Sequence, residues 1–137
     1  MSAAAPFEFW VNKKGTATLL AYVEGNSGTP ITQASITSIS YTISQVDENE
    51  PDDDATTVTG HIDAAITVAS AVFDTEQKTD VRWDPADHDG KGFNFEYTPV
   101  ISTNQAFNNR GVRYRIRVKF TPVTGQVFWA EYLASAR

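Results

Sequence analysis

Val112, Tyr114, Ile116, Val118 and Phe120 alternate without a break with Arg113, Arg115, Arg117 and Lys119. A period of two puts successive side chains on opposite faces of a strand, so the segment predicts a half-buried strand about 30 Å long. Thr121-Pro122-Val123-Thr124-Gly125 follows as a hairpin loop, with proline suited to the first turn position and glycine able to take positive φ. Gln126 to Leu133 is expected to return as the partner strand, with Val127, Trp129, Glu131 and Leu133 on one face and Phe128, Ala130 and Tyr132 on the other.

The same period recurs upstream. A first strand is expected over Phe7 to Val11 and a second over Thr16 to Glu24, where Ala17, Leu19, Ala21 and Val23 share a face. The glycine-rich run Gly25 to Pro30 must be a loop. A third strand spans Ser35 to Val46, with Ile39, Tyr41 and Ile43 facing inward and Ser40, Thr42 and Ser44 outward. Shorter strands are expected at Thr56 to Ile62, Ala65 to Val68 and Ala71 to Asp74, then a loop from Glu76 to Gly92 around Val81-Arg82-Trp83. Phe93, Phe95 and Tyr97 mark a further strand, ended by Pro99, and Asn104 to Gly111 is rich in turn residues. Short strands with turns at this spacing predict an all-β antiparallel sandwich of immunoglobulin-like type, with a small β-barrel as the alternative. One domain over 1–137 accommodates them all.

Composition adds constraints. Hydrophobic residues make up 41% of the chain and aromatics 12%, enough for a packed core. There is no cysteine, so disulfides, thiolate metal sites and a cysteine nucleophile are excluded. The opening Met1-Ser2-Ala3-Ala4-Ala5-Pro6 does not read as a secretory signal, and no apolar run approaches a membrane span. The net charge of -6 argues against nucleic acid as a partner. Its distribution is uneven: residues 1–109 carry 5 basic and 16 acidic side chains, residues 110–137 carry 6 and 1. Six of the carboxylates fall in Asp47 to Asp54, where mutual repulsion and Pro51 predict a mobile surface loop.

The chemistry-bearing residues do not assemble into a catalytic motif. His61 and His88 lie in separate polar segments and are expected to be solvated. Gly-x-Ser-x-Gly, His-Glu-x-x-His and the phosphate-cradling Gly-x-x-x-x-Gly-Lys do not occur. Asp87-His88-Asp89-Gly90 followed by Glu96 matches part of an EF-hand loop, but Pro85 stands at the first ligand position, so no metal or other cofactor is expected. Trp10, Trp83 and Trp129 are each either core residues or platforms for a sugar ring.

The cation ladder Arg113, Arg115, Arg117 and Lys119 is the most distinctive surface feature. Guanidinium groups make planar bidentate pairs with carboxylates and are common at interfaces, and Val127, Trp129 and Glu131 should share this face. These seven residues are the interface candidates, with acidic residues 47–54 of a neighbouring copy as one partner.

The run Gly15-Thr16-Ala17-Thr18-Leu19-Leu20, leading to Gly28-Thr29-Pro30-Ile31-Thr32-Gln33-Ala34, and the ending Tyr114 to Pro122 with Gly125 and Val127 resemble small immunoglobulin-like domains of tailed-bacteriophage virion proteins, such as the amino-terminal domain of baseplate upper proteins. The resemblance covers residues 15 to 133; the acidic insertion departs from it. It implies a non-enzymatic structural or adaptor protein of a virion, at the tail, baseplate, neck or capsid surface. Such a protein is assembled in the host cytoplasm and docks to other virion proteins or to copies of itself, with no membrane or nucleic-acid partner. The alternative is a carbohydrate-binding β-sandwich module.

Overall fold

In a computed structural model, which describes residues 7–50 and 54–137, nine strands and one short helix are formed: β1 (Phe7–Val11), β2 (Leu19–Ala21), β3 (Ile36–Val46), β4 (Asp54–Thr57), β5 (Ala64–Ile66), α1 (Val68–Ala71), β6 (Val72–Gln77), β7 (Phe93–Tyr97), β8 (Arg113–Pro122) and β9 (Phe128–Ala136). The larger sheet has the order β1-β9-β8-β3-β4, with β5 also pairing with β3; the smaller is β2-β7-β6. The two sheets pack as a β-sandwich. The placing of β2, β7 and β6 opposite β9, β8, β3 and β4 is that of immunoglobulin strands B, E and D opposite G, F, C and C′. The Asn109 N–H donates to the Tyr114 hydroxyl at the start of β8 (2.9 Å), the tyrosine corner of that fold. One pair departs from the expected antiparallel arrangement: β1 runs parallel to β9.

The inward half of each alternating strand fills the space between the sheets. Tyr114, Ile116, Val118 and Phe120 of β8 are fully buried, and Phe120 meets Phe95 of the smaller sheet edge-on, with ring centroids 5.3 Å apart. Burying each such side chain contributes about 1.5 to 3 kcal/mol. Tyr132 of β9 crosses the core, and its hydroxyl donates to the Leu20 carbonyl (3.1 Å). Burial holds its phenol well above the ordinary range.

Several bounds differ from the sequence pattern, each for a visible reason. Segment 16–24 remains beside β7, but side chains replace most of its ladder. Thr16 donates to the Pro99 carbonyl (2.9 Å), Thr18 and Thr98 join hydroxyls (2.8 Å), and the buried Asn94 amide pairs with both backbone groups of Val23 (2.8 and 2.9 Å). Thr121 and Pro122 stay in β8 because β3 still pairs with them, through Ser38 and Ile36, so the turn falls later than expected. At the other end, β9 runs on to Ala136 between β8 and β1.

His61 corrects the expectation of a solvated histidine: it is 1% exposed. Its Nε2–H donates to the Asn104 carbonyl (2.9 Å), and its Nδ1 shares a hydrogen bond with the Tyr41 hydroxyl (2.7 Å). The ring clamps β3 to two loops. Gly60, next to it, has φ +85°, and a Cβ there would lie 2.4 Å from the Asn104 side chain. Polar surroundings in sequence therefore hid a buried, satisfied group.

Candidate docking face

Registry across the larger sheet builds its outer face row by row. Arg113 lies opposite Ser135, Arg115 opposite Leu133, Arg117 opposite Glu131 and Lys119 opposite Trp129; on the β3 side Ser44, Thr42 and Ser40 flank the last three cations. All four predicted cations, with Trp129 and Glu131, share the face the alternation assigned to them. Val127 lies just before β9 and is exposed.

Depth varies along the ladder. Arg115 is only 8% exposed, which corrects the expectation of an open cation at that position. It sits mid-sheet, with buried Ser44 on one side and Leu133 on the other, and its polar group is engaged. Arg117 Nε donates to Glu131 Oε1 at 2.8 Å, on the face both were expected to share. Arg113 Nε lies 3.7 Å from Glu48 Oε1 of the same chain. The acidic insertion thus reaches its own ladder; Asp47 to Glu50 form a turn in which the Asn49 N–H donates to the Asp47 carboxylate (2.9 Å). Residues 51–53 of the expected mobile loop lie outside the described residues, and Asp54 begins β4.

The apolar part of the face gathers at the hairpin end. Trp129 is 56% exposed, with Val127 and Val123 also open to solvent, and Lys119 Nζ lies 5.8 Å from the Trp129 ring centroid. Behind the tip, a cavity of about 330 Å³ is lined by Pro30, Ile31, Ile36, Pro122 and Phe128 among others. Asn26 bridges its rim by donating to the Gln126 carbonyl (2.6 Å). Trp10 of β1 lies on the same outer face near the far end, opposite Ser135, which the sequence could not place without the parallel β1–β9 pairing.

The remaining singled-out residues are dispersed. Trp83 is buried, stacks on His88 with centroids 3.7 Å apart, and donates from Nε1 to the Lys91 carbonyl (2.9 Å). His88 is therefore half-buried against an indole ring rather than solvated. Glu96, the last residue of the partial EF-hand match, is held by Arg82 (3.0 Å) and does not join Asp87 and Asp89. Arg82 also pairs with Asp80 at 2.6 Å, and those hydrogen bonds lower the Asp80 carboxyl to about 2.

Compared with protein-family models, with curated proteins and with solved structures, the chain finds no match.

Proposed function

We propose that this protein is a non-enzymatic structural or adaptor subunit of a phage-like virion, docking to neighbouring proteins through the outer face of its larger sheet. The observation that carries the reading is the hairpin end of that face. There Trp129, Val127 and Val123 are exposed, with Lys119 opposite Trp129 in register and the Arg117–Glu131 pair in the next row. A tryptophan anchor ringed by charged groups is the usual composition of an interface centre and its rim, and aliphatic side chains left open beside it favour burial against a partner. The virion setting rests on the resemblance of residues 15 to 133 to immunoglobulin-like virion domains, and the immunoglobulin-like strand order supports it at the level of fold.

A carbohydrate-binding module has less support. Trp83 is buried, and Lys119 and Arg137 approach the rings of the exposed Trp129 and Trp10. The setting is tested by producing tagged protein in cells that make the particle and separating particles from free protein by sedimentation. Tag in the particle fraction is expected. Tag confined to the soluble fraction, together with a specific hit on a glycan array, would transfer the reading to the carbohydrate module.

A further inference from the structure

The outermost strand of a sheet leaves a row of backbone groups without a neighbour, and proteins that stay single chains blunt such edges. Several edges here are blunted. Along β6 the Gln33 side chain donates to the Ala69 and Val72 carbonyls (3.2 and 2.9 Å), and the Gln33 N–H is held by the Asp74 carboxylate (2.7 Å). β2 is only three residues long, and the Tyr132 hydroxyl takes its Leu20 carbonyl. β4 meets β3 through a break in register between Gln45 and Val46. β1, the other edge of the larger sheet, is different: its register against β9 runs unbroken from Phe7 to Val11, and it holds no proline.

The parallel ladder fixes which groups of β1 stay open. The Val11 carbonyl accepts from the Arg137 N–H (2.9 Å) and the Lys13 N–H donates to the Arg137 carbonyl (2.9 Å), so the odd-numbered residues turn their backbone toward β9. Glu8, Trp10 and Asn12 turn theirs outward. The Asn12 carbonyl closes a turn with the Gly15 N–H (2.8 Å), whereas among the described residues nothing takes up the backbone groups of Glu8 and Trp10. Both side chains are exposed on the outer face; the Arg137 guanidinium lies 5.2 Å from the Trp10 ring, and Glu8 makes no ion pair among the described residues. Phe9, between them, packs half-buried against the core.

We propose that β1 pairs antiparallel with β1 of a second copy of this chain, about a two-fold axis at Phe9, joining the larger sheets of both molecules into one. Glu8 of each copy then lies opposite Trp10 of the other, and every open N–H and C=O of these residues is met. Neighbouring registers are poorer. A shift by two residues sets Glu8 opposite Asn12, whose carbonyl is already taken, or Trp10 opposite Pro6, which has no N–H. Charge selects the same register and the same occupant: the incoming Glu8 arrives beside the Trp10 ring that Arg137 approaches, which gives a carboxylate–guanidinium pair on each side of the axis. Phe9 meets Phe9 at the axis, in the kind of pair that brings side chains closest. Antiparallel pairing sends the basic Lys13–Lys14 turns to opposite ends of the junction, and Glu48 stays engaged with Arg113 on β8, on the far side of β9. The contact is isologous and closes as a dimer. Neither Trp129 nor Val127 takes part, so it goes beyond docking through the hairpin and can fail without it.

The junction is short, so sedimentation equilibrium is run from about 1 μM to about 1 mM, the range in which a small contact dissociates. Monomer should convert to dimer and go no further. Glu8→Pro removes only an outward N–H, so it should keep the wild-type circular dichroism spectrum and abolish the dimer. Glu8→Arg and Arg137→Glu should each weaken the dimer by about tenfold, and Glu8→Arg/Arg137→Glu should restore it. Because the chain has no cysteine, a single one reads the register. Phe9→Cys should form an interchain disulfide with glutathione disulfide as oxidant, since directly opposed Cα atoms about 4.5 Å apart suit that bond. Asn12→Cys, displaced along the strand from its mate, should not. A wild-type monomer across the whole range overturns the proposal, as does a disulfide in Asn12→Cys without one in Phe9→Cys. Loss of Glu8→Pro from the particle fraction while the wild type stays monomeric would also overturn it, by assigning the edge to a strand of a different protein.

Discussion

Arg115 and Arg117 stand two residues apart on one strand face, yet their surroundings set different costs for changing them. Arg115 is enclosed between Ser44 and Leu133, whereas Arg117 meets Glu131 in an ion pair that water reaches from one side. Reversing a buried charge leaves its surroundings unpaired, so Arg115→Glu should cost more than about 2 kcal/mol. An exposed pair is worth little, so Arg117→Ala should cost less than about 1 kcal/mol. Urea unfolding of both variants checks the contrast; equal losses would mean that depth along the ladder does not matter. Asp80 gives a second residue-level test. Hydrogen bonds from Arg82 lower its carboxyl to about 2 in the folded protein, against 3.8 as the ordinary value. The preference of this pair for the folded state is therefore present above the ordinary value and is lost as pH falls through the lower one. Carbon-detected NMR should find the Asp80 titration midpoint near that lower value, and Arg82→Ala should raise it. The alternation of charged and apolar residues identified the face of Arg115, Arg117, Glu131, Leu133 and Ser44. It did not reveal depth, because depth depends on which strands flank β8, and that is set by contacts distant in sequence.

Among the elements, β8 was the most legible, because one face is wholly apolar and the other wholly charged. Its core half can be tested directly: Ile116→Ala should cost about 2 to 5 kcal/mol, the lost burial plus a cavity closed in from both sheets. Tyr114→Phe keeps the ring and removes only the hydroxyl that receives the Asn109 N–H, so it should cost about 1 kcal/mol and loosen the 107–111 turn in hydrogen exchange. The smaller sheet was harder to read. β2 contributes three ladder residues to a segment nine residues long by pattern, because Asn94 and the threonine pair stand in for backbone bonds that periodicity presupposes. β1 was recognised as a strand, but its parallel docking on β9 has no local signature. That pairing is also what carries Trp10, Lys13 and Lys14 to the end of the sheet where Arg137 lies.

At the scale of the whole molecule, folding undoes part of the segregation of charge along the chain by bringing Glu48 of the acidic insertion to Arg113. The ladder is occupied by its own chain at Arg113 and Arg117, so an acidic stretch on a neighbour is not required to neutralise it. At the hairpin end the larger sheet leaves apolar side chains open: Trp129, Val127 and Val123. Docking through this patch predicts a separation of folding from assembly that a single measurement reads. A variant with Trp129→Ala, Val127→Ser and Lys119→Glu should unfold within about 1 kcal/mol of wild type, since exposed positions contribute little to stability. In cells that make the particle it should fall out of the particle fraction, remaining in the soluble fraction as folded protein. Incorporation of the triple variant at the wild-type level would contradict docking through this face.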